Sequence, residues 1–193
     1  MFDLTKRYLE PHRCYHTLNH IIAMFEFAKT NSIELTPEQV YAIWFHDAVY
    51  DPMSKTNEED SADVFGKYVS TLKVFPYNMF KIRQIIWDTK KELPTIEESK
   101  IVIDLDLHRL ADPEKVTADK YLIKDEFAPY MTEEEFILGR LNWVKEMLDG
   151  RKTIFVSDNS VFTKLEEKAR SLLKIEVGMI LPRERANIRI DKK

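Results

Sequence analysis

Three histidines and three aspartates sit in surroundings that would not normally carry them. His46 and Asp47 are adjacent in YAIWFHDAVYD, residues 41–51, whose other positions are mostly aromatic or aliphatic. Such a doublet is costly to bury unless it is paired or bound to a metal. Adjacent helix residues point about 100° apart, so both side chains can converge on one ion lying between them. His16 and His20 are four apart, which on a helix places them on one face. Asp104 and Asp106 lie in DLDLHRL, residues 104–110, on an apolar helix where lone carboxylates are unexpected. Imidazole nitrogens and carboxylate oxygens without thiolate suit Mn²⁺, Fe²⁺, Zn²⁺, Co²⁺ or Ni²⁺, with Mg²⁺ admissible. Such an ion acidifies its bound water and polarises a phosphoryl oxygen.

Each of these residues also has a structural reading. His46 could close a helix as a dipole-stabilised imidazole. His20 could be a satisfied core histidine, and His16 could hydrogen-bond a carboxylate at the surface.

The elements that must position them are helical. Residues 16–30 form a helix with Ile21, Ile22, Met24, Phe25 and Ala28 on one side. Thr36-Pro37-Glu38-Gln39 is a capping box with proline at the first helical position, and it launches the helix ending in His46-Asp47. Residues 48–56 read as a rim loop, and Asn57 as the cap of the next helix. A helix follows Phe75-Pro76. Thr95 with Glu98 is a second capping box, and Asp112-Pro113 starts a helix reaching about Tyr130. Thr132 with Glu135 is a third box, whose helix closes at Gly150. Residues 152–156 are briefly β-like, a loop or isolated strand. A last helix runs from about Ser160 to Val177 and ends at Gly178. The fold class expected is all-α, a single-domain bundle.

Bulk composition agrees. At 193 residues and 44% hydrophobic, the chain suffices for one substantial core. A net charge of −4 does not favour nucleic acid or an anionic membrane as partner. One cysteine, Cys14, excludes an intrachain disulfide framework and suits a reducing compartment. No stretch approaches transmembrane length. The expectation is a cytoplasmic protein.

The order H…HD…D across an all-α chain resembles the HD-domain metal-dependent phosphohydrolases. YHTLNH at 15–20 resembles, more distantly, the Y-H-x-x-x-H element of cyclic-nucleotide phosphodiesterases. The nearest resemblance is to an uncharacterised bacterial and phage group of predicted HD-superfamily phosphohydrolases. It is carried by WFHDAVYD at 44–51, NEEDSA at 57–62, DLDLHRL at 104–110, IKDEF at 123–127 and EKAR at 167–170. Lys124 and Phe127 depart from the Arg and Tyr of that pattern, and TKKEL at 89–93 lacks a histidine often found there.

This resemblance implies an HD-domain bundle over residues 1–178, followed by a polar, frayed tail over 179–193. It implies metal ligands His20, His46, Asp47 and a final Asp followed by Leu; Asp104-Leu105 and Asp106-Leu107 both offer one, and Asp106 fits the family's A-D-L better. Asp104 would then orient a ligand histidine from behind. Hydroxide on the ion would attack a phosphomonoester or phosphoanhydride of a small molecule, most plausibly a nucleotide. His16 would protonate the leaving oxygen as general acid, and Glu58 would orient or deprotonate the attacking water. The alternative is a metal- or nucleotide-binding regulatory module without turnover. Phosphate needs cationic donors, so Arg13, Lys90, Lys124 and Arg140 are the candidate clamps. Asp51 is either a turn former or a second-metal ligand. His12 and His108 are expected at the surface, and Trp44, Phe45 and Trp87 in the core. Self-association into a homo-oligomer is compatible with all of this.

Overall fold

The computed structural model describes residues 3–190, with side chains to Met179. Among the described residues there are eight α-helices and no strand. They are α1 (Leu18–Thr30), α2 (Pro37–Phe45), α3 (Asn57–Ser70), α4 (Met79–Thr89), α5 (Ser99–Leu107), α6 (Pro113–Phe127), α7 (Glu133–Lys145) and α8 (Ser160–Ile190). Short 3-10 turns at Arg7–Leu9 and His108–Ala111, and a π turn at Glu146–Gly150, complete the backbone. The chain is an all-α bundle.

Two of the expected capping boxes form. Thr36 and Gln39 satisfy each other's backbone N–H groups at the start of α2, and Thr132 and Glu135 do so at α7. The third does not. Thr95 turns its N–H and hydroxyl to the buried Asp88 on α4, and Glu98 pairs with Lys81. A buried carboxylate that needs donors outweighs a cap on a solvated helix end. Asn57 does not cap α3 either. Its side chain accepts from Asp51 N–H at 3.0 Å and donates to Asp51 C=O at 2.9 Å, which clamps the loop before the helix.

Further differences lie toward the C-terminus. Residues 152–156 form no strand, and α6 ends at Phe127. The last helix does not stop at Gly178 but continues to Ile190, so the backbone of the expected tail is helical that far. Gly178 keeps φ out of the left-handed region that a terminating C′ glycine needs. Residues 191–193 lie outside the described residues. Gly150 does end its helix. A Cβ there would meet the Glu146 carboxylate at 2.3 Å, so any other residue would have to displace that side chain.

The core is continuous, built on Ile21, Met24, Ile43, Phe65, Ile82, Ile85, Ile86, Ile103, Leu105 and Phe162, all fully buried. α4 packs on α2, α3 and α5, while α1 lies against α2 and α5. That arrangement brings the start of α1, the end of α2 and the last turn of α5 to one place.

Candidate metal centre

His20 enters this place from the first turn of α1, His46 and Asp47 from the end of α2, and Asp106 from α5. Both imidazoles are buried, His20 at 3% and His46 at 2% exposure. His20 Nε2 lies 2.9 Å from Asp106 Oδ1 and 3.8 Å from Asp47 Oδ2. His46 Nε2 lies 3.2 Å from Asp47 Oδ2 and 3.8 Å from Asp106 Oδ1. One ligand atom each from His20, His46 and Asp106 lie within 4.8 Å of one another, with Asp47 joining from the His46 side. Ligands on one cation at bond lengths of about 2.0–2.2 Å stand roughly 3.0–3.5 Å apart; the two shorter contacts, 2.9 and 3.2 Å, lie close to that spacing and the two at 3.8 Å are wider.

Direction matters as much as distance. Neither His20 Nε2 nor His46 Nε2 has a hydrogen-bond partner, although a carboxylate oxygen lies near each. The nitrogens do not aim at the oxygens. His46 Nδ1 is 2.9 Å from Ile43 C=O, to which it donates as an N–H, so Nε2 is the nitrogen that faces the carboxylates. His20 Nδ1 is buried without a partner.

Electrostatics agree with the geometry. Burial pushes His46 down, but the Asp47 charge and contacts with Asp106 and Asp47 outweigh it and hold the imidazole well above its ordinary value. Burial pushes Asp47 and Asp106 up, yet the histidines hold both well below the carboxylate range. Two ionised carboxylates held this close together attract positive charge, which the histidines supply here. The Asp47 and Asp106 side chains keep 17% and 22% exposure, so the cluster is open on its carboxylate side.

His16 stands beside the cluster, its ring centroid 6.3 Å from that of His20. It precedes α1 rather than sharing its face, because the helix starts at Leu18. Its ring stacks on Tyr50 at 3.9 Å. Nδ1 lies 2.7 Å from Glu126 Oε2, so Nε2 is the nitrogen left to act. Glu126, 1% exposed, accepts through Oε1 from the N–H groups of Cys14, Tyr15 and His16. Burial lowers the His16 pKa, and the Glu126 hydrogen bond with the nearby carboxylates reverses this and raises it. Burial raises Glu126, and the His16 hydrogen bond and charge bring it down to about 2. Glu126 was missed in the sequence. Its only signal was membership of IKDEF.

The remaining expectations divide. Glu58 sits in the first turn of α3, where burial raises its carboxyl with Asp47 as a contributing charge. Arg13 is not a phosphate clamp. Buried beneath the site, it donates to the carbonyls of His16, Asp47 and Ala48 and to Glu10, tying the two histidine segments together. Lys90 is bonded to Glu59 at 2.6 Å and to Lys55 C=O. Lys124 reaches Glu133 at 2.5 Å. Arg140 lines a cavity beside the cluster but is held by Glu176.

Asp104 does not orient a histidine. Fully buried on another side of α5, it accepts from Val156 N–H, Ser157 N–H and the Ser157 hydroxyl. Asp51 is a turn former, accepting from Met53 N–H at 2.9 Å. His108 is packed on Phe27 and brought down to about 4 by burial, rather than lying at the surface. His12 Nε2 lies 2.8 Å from Tyr50 C=O. Phe45 is core, whereas Trp87 is partly exposed with Arg83 over its ring.

Comparison with family models, curated proteins and solved structures finds no match for this chain.

Proposed function

We propose that the chain is a metal-dependent phosphohydrolase cleaving a phosphomonoester or phosphoanhydride of a small molecule, a nucleotide first among them. The observation that carries this reading is the pair of buried Nε2 atoms without hydrogen-bond partners, gathered with two carboxylates around one point. His20, His46, Asp47 and Asp106 would hold a divalent transition ion. When bound, such an ion polarises a phosphoryl oxygen and acidifies water.

The chain's own residues do the rest. Glu126 fixes the His16 ring through Nδ1 and favours its protonated form, so Nε2 presents a proton to the leaving oxygen. Glu58, with its carboxyl raised by burial, accepts a proton from the attacking water. Arg13 keeps the His16 segment and the His46-Asp47 turn at fixed separation. No helix among the described residues is long and apolar enough to cross a membrane. A cytoplasmic site of action, consistent with the lone thiol of Cys14, belongs to the same proposal.

The test is purification without chelator, measurement of bound metal, and assay of phosphate or nucleoside release from a nucleotide panel with and without Mn²⁺. Metal-dependent release, lost in His46→Ala together with the metal, is the expected result. A His46→Ala protein that keeps both would end the ligand assignment. Metal bound without turnover across the panel would favour the regulatory module.

A further inference from the structure

Beside the cluster the bundle opens into a cavity of about 380 Å³, bounded by Tyr15, His16 and Asp106 at its inner end and by α6 and α7 beyond. The volume falls within the range of small-molecule sites, about 300–1,000 Å³. Much of the wall is apolar or aromatic, with Leu107, Leu110, Ile123, Phe127, Phe136 and Trp143 supplying it.

The cations around this cavity are engaged by carboxylates. Arg109 is held in bidentate fashion by Asp119. Arg140 is held by Glu176 at 3.0 and 3.1 Å and lies over the Trp143 ring at 4.4 Å. Lys120 reaches the same Glu176 at 4.0 Å. Two further carboxylates face inward. Glu92 is held by Arg151 at 2.7 Å, and Glu135 by the Thr132 cap. Arg109 and Arg151 thus have Asp119 and Glu92, Lys120 and Arg140 share Glu176, and Glu135 has the Thr132 cap rather than a cation as its partner. On the α3 side the cations are engaged as well, Lys90 by Glu59 and Arg13 by backbone carbonyls.

A ligand with one phosphoryl group has one place for its charge, the cluster itself. Each further phosphoryl group would need cationic donors, and on both sides the described cations already have partners. An uncharged ring, by contrast, finds an apolar wall of matching size.

We propose that the cavity takes the organic part of a singly phosphorylated ester, an uncharged ring-bearing alcohol of nucleoside size, and that the site disfavours di- and triphosphates. This rests on the phosphohydrolase reading for its position and adds the substrate class. The ester oxygen would lie at the inner end of the cavity, next to His16.

Gly139 on α7 provides the test. It lines the cavity, and a Cβ placed there meets nothing within 4 Å, so Gly139→Leu projects into empty space. Leucine is the better helix former, so the variant should melt no lower than wild type. With the Mn²⁺-loaded full chain, kcat/KM is compared for nucleoside 5′-monophosphates, the matching triphosphates and glycerol phosphate. Monophosphates should exceed triphosphates by about tenfold or more. Gly139→Leu should lower kcat/KM for the nucleoside monophosphates by roughly 10–200-fold, the range that a single methylene commands in an apolar pocket, and leave glycerol phosphate unchanged.

Triphosphates turned over as well as monophosphates, or a variant that alters both small and large esters equally or neither, would overturn the proposal. If no ester is hydrolysed although metal is bound, the phosphohydrolase reading fails separately. Calorimetric binding of nucleoside 5′-monophosphate then decides the cavity. Binding weakened by Gly139→Leu supports it, and equal binding or none in the wild type overturns it.

Discussion

His16 is held by a carboxylate 110 positions away in the chain, and that pairing sets what the imidazole can do. His16→Ala should lower kcat by about 10²–10⁴-fold, the usual contribution of a positioned acid, with metal content unchanged. In the proposed mechanism Glu126 would position His16, so its test is a pH profile. The Glu126 hydrogen bond raises His16 against the opposing effect of burial, and Glu126→Gln removes that support. The alkaline limb of the kcat profile should then move to lower pH, because the acid loses its proton earlier. An unmoved limb would deny Glu126 this role.

Stability follows the same pair with opposite signs. Glu126 is depressed from 4.5 to about 2, so its contribution is present above the unfolded value and fades as pH falls toward 2. The shift corresponds to on the order of 3 kcal/mol. His16 is raised above 6.5, so its contribution is full below that value and fades as pH climbs through its raised value. The pair stabilises most between the two unfolded values. Denaturant midpoints of Glu126→Gln should depend less on pH between 4.5 and 2 than those of the wild type.

On α5 two aspartates one residue apart have separate tasks, because alternate positions on a helix face different neighbours. Asp104→Ala leaves three donors of the 156–157 loop without their acceptor, which should cost about 2–4 kcal/mol in chemical denaturation. Its metal content should stay at the wild-type level. Asp106→Asn should lose the metal, and because His20 and His46 hold the Asp106 carboxyl well below its ordinary value, it should also lower metal-free stability at neutral pH. If Asp104→Ala lost the metal instead, the two assignments would be exchanged.

The same contrast shows what was readable at this scale. The α2 box was legible because Thr36, Pro37 and Gln39 are local and nothing buried competes for them. The Thr95–Glu98 box was not, because its residues answer to Asp88 and Lys81 on another helix. Asn57 of NEEDSA and Arg170 of EKAR were readable as motif residues but not in their roles. Asn57 clamps Asp51, and Arg170 binds the carbonyls of Leu148 and Lys152. Arg13, Lys124 and Arg140 carried the right charge for phosphate, but Arg13 is taken up chiefly by backbone carbonyls, Lys124 by Glu133 on the next helix and Arg140 by Glu176 on α8. Charge type alone could not reveal that they were engaged.

For the molecule as a whole, four side chains from the start of α1, the end of α2 and α5 meet at one point, with α4 packed against α2 and α5. A cation bound there joins three parts of the bundle and binds only the folded chain. At a free concentration 100 times its Kd it should add about 2.7 kcal/mol, raising Tm by roughly 5–10 °C for a chain of this length. Chelator should remove the increment, and His20→Ala should show none. The all-α class was legible because helical periodicity and caps are local, and the meeting of His20, His46, Asp47 and Asp106 was foreseen from motif order. The cavity and its engaged cations depend on α6, α7 and α8 coming together, for which no single stretch carries a signal.

The most direct measurement is anomalous X-ray scattering from crystals grown with Mn²⁺, collected at the manganese edge. The account predicts a peak bonded to His20 Nε2, His46 Nε2, Asp47 and Asp106 at about 2.0–2.2 Å. A manganese peak elsewhere, or none at these four residues with the ion in excess, would contradict it.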